Sequence, residues 1–143
     1  CGIATGTLYN YFESKEVLVG DIVSEDWIVI LQNAKKQIAN AESVMDGIEC
    51  IYTNLFDFTN LYRFIFNDSS VSRNQIFYTQ RHHMLVNIIS EMIKDLMDNK
   101  NKKYDEFEIT FIASSIINGC NEQWTYNQVS GIYERILKGE QDE

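Results

Sequence analysis

With 143 residues, the chain is long enough to bury one substantial core, so we expect one domain with an appendage. Its formal net charge of −9 disfavours DNA binding by this chain alone, because neutralising phosphates requires clustered Lys and Arg. The longest apolar run, Trp27–Leu31, is far shorter than the ~20 residues that span a membrane, so no membrane partner is expected.

The N-terminal stretch carries the most informative pattern. Leu8 and Phe12 are four residues apart, so they share one helix face and can be buried together. Residues that present small hydrogen-bonding groups surround this pair, and Ser14 is suited to cap a second helix. They are Thr5, Gly6, Thr7, Tyr9, Asn10 and Tyr11. A short helix of this kind suits a DNA groove, because such groups can bond base edges and phosphates.

The same stretch resembles the end of the DNA-binding domain of the tetracycline-repressor (TetR) family. The matching residues are Gly2, Ala4, Gly6-Thr7-Leu8-Tyr9, Tyr11-Phe12, Lys15-Glu16 and Leu18. Ala4 departs from the Ser or Thr that the family often has, which gives up an N-cap hydrogen bond worth about 1 kcal/mol. The match is long and specific, although it covers only the N-terminal end of the chain.

The resemblance assigns DNA contacts residue by residue. It implies that Thr5, Gly6 and Asn10 face base edges. It also implies phosphate contacts from Thr7, Tyr9, Tyr11 and Lys15. An alternative for the two tyrosines is that they simply pack against the helix that follows.

The resemblance also implies two regions. Residues 1–18 correspond to the end of a helix-turn-helix domain, with the recognition helix and the start of the linking helix. Residues 19–143 correspond to a helical domain for ligand binding and dimerisation. In the family two helices precede the recognition helix, so we expect this chain to lack them and operator DNA to be bound only by the complete protein.

Beyond this stretch, apolar residues recur at a helical period. We expect helices over about 14–39, 43–60, 61–66, 72–98 and 129–137, with another that starts at 105 and carries Trp124. Asn60 is expected to end or bend the second helix, and 61–66 to be a short buried one. Asp105 with Glu108 three residues later predicts a capping-box start. The fold class is therefore an all-α helical bundle, which agrees with a TetR-like regulatory domain.

Aromatic and polar residues in the middle of the chain could line a small-molecule pocket, because such sites combine aromatic walls with a few polar groups. The candidates are Phe56, Tyr62, Phe66, Tyr78, His82, Phe111, Asn118 and Trp124. The alternative is that they only form the core. The family's inducer site lies in this region.

A dimer contact is the second candidate surface of the helical region. Ser115 and Gly119 are four residues apart, and small residues at this spacing let another helix approach closely. Phe111, Ile112, Ile116 and Trp124 could extend the same surface. By the resemblance the other helix belongs to a second copy. Close packing inside one copy is an equally good alternative for Ser115 and Gly119.

The sequence offers no metal or catalytic site. His82 and His83 are adjacent, so on a helix they point about 100° apart and cannot easily chelate one ion; one should face the interior and the other solvent. Cys50 and Cys120 lie in apolar helical contexts and are expected to be buried thiols, which suits a reducing cytoplasm. No metalloprotease, nucleophile-elbow or phosphate-loop motif is present, and no cofactor is implied.

Together these features favour a ligand-responsive, TetR-like transcriptional regulator, most simply a repressor. The resemblance implies a cytoplasmic homodimer that binds operator DNA and is released by a small-molecule inducer. The alternative is a helical small-molecule-binding or interaction module without DNA binding.

Overall fold

The computed structural model describes residues 25–65 and 75–141, which form five α-helices. Helix α1 covers residues 25–38 of this part of the chain. The others are α2 (Val44–Ile65), α3 (Gln75–Asn99), α4 (Glu106–Asn121) and α5 (Tyr126–Gln141). The predicted all-α bundle is confirmed. None of the helices in these two ranges combines the length and apolar character needed to cross a membrane.

Helix α2 occupies the centre, because it packs against α3, α4 and α5, while α3 and α4 also pack against each other. Its interior face repeats at helical spacing, which is the pattern that buries one side of a helix. The core side chains with no more than 1% exposure include Ile48, Ile51, Tyr52, Leu55, Ile89, Ile93, Met97, Ile109, Ile112 and Ile116.

Helix α1 is joined to α2 by an aromatic contact and by hydrogen bonds. The rings of Trp27 and Phe58 meet edge to face, with centroids 5.9 Å apart. Further along, Gln37 Oε1 accepts from Cys50 Sγ at 3.1 Å and from Asn54 Nδ2 at 3.2 Å. Cys50 is only half-buried, which corrects its prediction as a buried thiol.

Burial of Cys120 agrees with the sequence. The thiol has no exposed surface, and burial, with a smaller effect of Asp57, raises its pKa to about 12. It stays protonated at neutral pH, so it is a poor nucleophile.

The middle of α2 corrects one prediction. Asn60 neither ends nor visibly interrupts the helix, which continues to Ile65, so no separate short helix begins at Leu61. Leu61 is 54% exposed rather than buried. Asn is only a weak helix breaker, and the packed face of α2 on both sides of Asn60 overrides that preference. The side chain of Thr59 bonds back to the Leu55 carbonyl, which leaves the helix intact.

The starts of the last two helices depend on side-chain caps. Asp105 is the N-cap of α4, and its carboxylate accepts from the Glu108 backbone N–H at 3.0 Å, as predicted. Helix α5 begins at Tyr126, three residues before the expected start at Val129. The reason is that Gln128 reaches back and accepts from the Thr125 backbone N–H at 2.8 Å, which is half of a capping box.

Candidate functional site: a pocket and an exposed apolar face

A pocket of about 470 Å³ lies where α3, α4 and α5 meet. This volume falls within the range of roughly 300–1,000 Å³ that small-molecule sites occupy. Its walls are His82, Phe111, Ser114, Ser115, Asn118, Trp124, Val129, Ile132 and Tyr133. The pocket is open on one side, because the rim residues Phe111, Trp124 and Ile132 are 53%, 40% and 45% exposed.

Helical spacing places several of the pocket-lining residues on one face of α4 and one face of α5. On α4, Phe111, Ser115 and Asn118 follow one another at intervals of four and three residues, so they share a face. On α5, Val129 and Tyr133 are likewise four residues apart. Side chains from α4 and from α5 therefore both contribute to the walls of the pocket.

Tyr133 forms the buried end of the pocket. Its side chain is 1% exposed, and its hydroxyl shares a short hydrogen bond with Ser115 Oγ. Burial raises the pKa of Tyr133 to about 12, although the hydrogen bond with Ser115 acts in the opposite direction. The phenol is therefore neutral at physiological pH and ties α4 to α5.

The turn after α4 positions Trp124. Gln123 adopts a left-handed conformation with φ 62°, and the Trp124 N–H donates to the Gly119 carbonyl at 2.8 Å. The Gln123 N–H bonds the Cys120 carbonyl, which completes a Schellman turn. The prediction that Trp124 lies on the α4 helix is thus wrong. The helix ends at Asn121, and the indole lies in the turn beside the pocket.

Tyr52 fixes this turn from the centre of the bundle. Its hydroxyl donates to the Trp124 carbonyl at 2.5 Å. A Cβ added at Gly119 would lie 2.5 Å from Tyr52 Oη and 3.2 Å from Trp124 Cε3. Glycine is therefore required there by the close approach of α2 and the turn.

His82 contributes a neutral imidazole to the pocket. It is half-buried, whereas His83 is exposed, as expected from their adjacency. Burial lowers the pKa of His82, and the neighbouring His83 lowers it further; the two ring centroids are 6.1 Å apart. Within residues 25–65 and 75–141, no group of three or more His, Cys, Asp or Glu is placed to hold a metal ion.

The electrostatic character of the pocket follows from its walls. Among the residues that the structure describes, no Asp, Glu, Lys or Arg lines the pocket, although the chain carries a net charge of −9. Its polar groups are hydroxyls, one amide and one imidazole. These described walls can contact aromatic or alicyclic surface and form hydrogen bonds with a few neutral polar atoms.

An exposed apolar face surrounds the pocket. Phe107 is 75% exposed and lies one helical turn before Phe111 on α4. With Trp124 and Ile132, these side chains account for most of the large apolar residues exposed in the described chain; the others are Val29 and Leu61 on α1 and α2.

The predicted pocket residues divide into three groups. His82, Phe111, Asn118 and Trp124 line the pocket. Phe56 does not; its ring instead stacks on Tyr52, with centroids 6.3 Å apart. Phe66, and the side chains of Tyr62 and Tyr78, lie outside the described part. Ser114, Val129, Ile132 and Tyr133 also line the pocket but were not predicted from the sequence.

The residues predicted to form a dimer contact include both buried and exposed side chains. Ile112 and Ile116 have no exposed surface, which corrects their assignment to a dimer surface. Gly119 is buried against Tyr52, which agrees with the alternative of packing inside one copy. Phe111 and Trp124 lie on the exposed face. Ser115 is half-buried and engaged with Tyr133, so the alternative of packing inside one copy applies to it.

The predicted DNA contacts, Thr5, Gly6, Thr7, Tyr9, Asn10, Tyr11 and Lys15, lie outside the described residues, as do Cys1 and the boundary between residues 18 and 19. Comparison with protein-family models, curated proteins and solved structures finds no match to this chain.

Proposed function

We propose that this chain is the ligand-binding and dimerisation part of a TetR-like, ligand-responsive transcriptional regulator, most simply a repressor. The observation that carries the proposal is the run Gly6-Thr7-Leu8-Tyr9, followed by Tyr11-Phe12 and Lys15-Glu16. The helical bundle, the pocket and the exposed apolar side chains are compatible with it, since such a regulator needs a ligand site and a partner surface.

The proposed mechanism is a population shift between two conformations. A dimer spaces two recognition helices for successive major grooves of a pseudo-palindromic operator. A ligand that prefers the conformation with the wrong spacing moves the protein off DNA, by as much as its affinities for the two states differ.

The contacts within the bundle offer a route for that shift. The backbone carbonyl of Trp124, at the pocket, accepts a hydrogen bond from the Tyr52 hydroxyl on α2. Phe58, also on α2, contacts the ring of Trp27 on α1. A displacement of the turn that carries Trp124 would therefore move α2, and α2 would in turn move α1. In the proposal, α1 acts as the lever that carries this displacement towards the DNA-binding segment.

The test is DNA binding by the natural protein on DNA that flanks its own gene, measured at several salt concentrations. We expect site-specific binding that weakens as salt increases, because phosphate contacts release counterions. A variant with Tyr9 and Tyr11 replaced by Phe should bind more weakly, while Tyr104→Phe on the body serves as the matched control. Absence of specific binding on all flanking DNA would contradict the proposal.

The acidic charge favours one alternative, a helical small-molecule-binding or interaction module without DNA binding. The same assay separates the two, because the module would bind no operator and would show no loss on removal of the Tyr9 and Tyr11 hydroxyls. We propose no catalytic activity, since the pocket residues provide no activated nucleophile or acid-base pair.

A further inference from the structure

The Ser115–Tyr133 pair at the buried end of the pocket has one more proton than its mutual hydrogen bond uses. Each side chain carries one hydroxyl, and the two hydroxyls share a single bond. One O–H proton is therefore left over, whichever oxygen donates in that bond. Tyr133 is 1% exposed and Ser115 is half-buried, so this proton would be costly to leave without an acceptor.

Ser115 also differs from other helical hydroxyl residues of the bundle in the partner that it uses. Thr59 Oγ1 and Thr110 Oγ1 each donate to the backbone carbonyl four residues earlier, at 2.8 Å and 3.0 Å. Such bonds are a common way to satisfy a hydroxyl within a helix. In the described part of the chain, the Ser115 hydroxyl instead bonds Tyr133 on the neighbouring helix, and neither hydroxyl has a second partner. The remaining proton is therefore available to a molecule in the pocket.

Apolar side chains lie next to the pair. Phe111 and Val129 each lie one helical turn before a member of the pair, on α4 and α5. With Trp124 and Ile132 they give the pocket aromatic and aliphatic walls. The remaining polar wall residues are less buried than Tyr133; they are His82, Ser114 and Asn118. A carbonyl oxygen suits the buried end, because it accepts a proton and brings none that would need an acceptor of its own.

We propose that the Ser115–Tyr133 pair is the polar anchor of the pocket, and that the pocket takes an aromatic or alicyclic ketone whose carbonyl oxygen accepts the remaining hydroxyl proton. The inference rests on the proposed ligand-responsive function and adds the chemical class of the ligand and the two side chains that recognise it. The bond within the pair orients the donor before a ligand arrives, which reduces the ordering cost of binding. A compound of the same shape without the oxygen would leave the proton unpaired beside an apolar ligand.

Two isosteric probes test the ligand class. The probe 2-acetylnaphthalene carries a carbonyl oxygen, whereas 2-isopropenylnaphthalene has a methylene group in its place. Equilibrium dialysis gives the dissociation constant of each probe for the wild-type chain and for the double variant Ser115→Ala/Tyr133→Phe. Both hydroxyls are removed because either one alone could still donate to the ketone. Comparing the ratio of the two constants between the two proteins cancels the different tendencies of the probes to leave water.

The preference for the ketone should fall at least about fivefold in the double variant, as expected for the loss of one partly buried hydrogen bond. Thr110→Val is the matched control, since it removes an exposed hydroxyl of α4 that does not line the pocket and should leave the preference unchanged. A smaller fall in the double variant, an equal fall in Thr110→Val, or no binding of the ketone to the wild-type chain would each overturn the inference.

The carbonyl stretch of the bound ketone provides a second measurement, on the wild-type chain alone. In infrared difference spectra it should lie at lower frequency than in cyclohexane, because a hydrogen bond weakens the C=O bond. An unshifted stretch would overturn the inference even if the double variant failed to fold, which circular dichroism checks. Failure here leaves the operator assay unaffected, and failure of the operator assay leaves the ketone result standing, so the two proposals are tested separately.

Discussion

The hydroxyl of Tyr52, in the middle of α2, donates a hydrogen bond to the backbone carbonyl of Trp124, which lies 72 residues later in the turn before α5. This bond joins the central helix to the wall of the pocket. We expect Tyr52→Phe to lower the free energy of unfolding by about 1–2 kcal/mol, because a partly buried carbonyl loses its donor. Chemical denaturation monitored by circular dichroism measures the loss.

Tyr126→Phe is the control for this substitution. The Tyr126 hydroxyl donates to the Met45 carbonyl at 3.3 Å, a longer bond between α5 and α2. Its removal should cost less than the Tyr52 bond, within about 0.5–1 kcal/mol. Equal losses in the two variants would show that the Tyr52–Trp124 bond has no special part in holding the turn.

Gly119→Ala should destabilise the chain by about 1–3 kcal/mol. The new methyl group would lie 2.5 Å from Tyr52 Oη, so either the hydrogen bond to Trp124 or the spacing of α2 and α4 must change. Gly131→Ala on α5 is the matched control. The nearest atom to its Cβ would be Arg135 Nη1 at 3.9 Å, so the usual helix preference for Ala should stabilise by roughly 0.5–1 kcal/mol. Opposite signs in thermal denaturation are the expected result.

Gln123→Gly should stabilise the chain by roughly 0.5–1 kcal/mol. Gln123 ends α4 in a left-handed conformation, which glycine adopts without the clash that a Cβ causes. Asn101→Gly in the turn after α3 is the comparison. Asn101 has φ 55°, but Asn tolerates this region better than Gln, so its replacement should give a smaller gain. A loss of stability in Gln123→Gly would mean that the contacts of the Gln123 side chain stabilise the fold by more than its left-handed backbone conformation destabilises it.

Alkaline pH should destabilise the fold through Tyr133. Burial raises the folded-state pKa to about 12 from an ordinary value of 10, so between these values the unfolded chain loses the phenolic proton while the folded chain keeps it. Stability present below pH 10 is therefore lost as the pH rises towards 12, at up to about 1.4 kcal/mol per pH unit for one group.

Tyr133→Phe removes this ionisable hydroxyl. The free energy of unfolding should then fall less steeply between pH 10 and 12. Denaturation curves at several pH values measure it, and phenolate absorbance reports ionisation directly. An unchanged slope in Tyr133→Phe would show that this phenol does not ionise with unfolding.

The sequence predicted the local features, such as helix caps, that depend only on residues close together in the chain. Asp105 and Glu108 form the expected cap because the bond spans three residues. The Thr125-to-Gln128 cap has the same spacing and could have been found in the same way. Asn60 was wrongly expected to end α2, since a weak local preference cannot be weighed against packing that is set by distant helices.

The pocket was predicted only in part, for a related reason. Aromatic and polar character singled out His82 and Trp124, but the burial of Tyr133 depends on its pairing with Ser115, 18 residues away on another helix. Phe111 and Ile112 are adjacent in sequence, yet one is 53% exposed and the other is wholly buried. Periodicity defines the two faces of α4, but the positions of α2 and α3 decide which face is inside.

The two indole rings of the chain are natural reporters of separate events. Trp27 is 7% exposed against Phe58 in the α1–α2 contact, whereas Trp124 is 40% exposed at the pocket rim. A neutral quencher such as acrylamide should therefore reach Trp124 far more readily than Trp27. A molecule or partner that covers the rim should protect the first without affecting the second, so fluorescence can distinguish occupancy of the pocket from loosening of the bundle without any label.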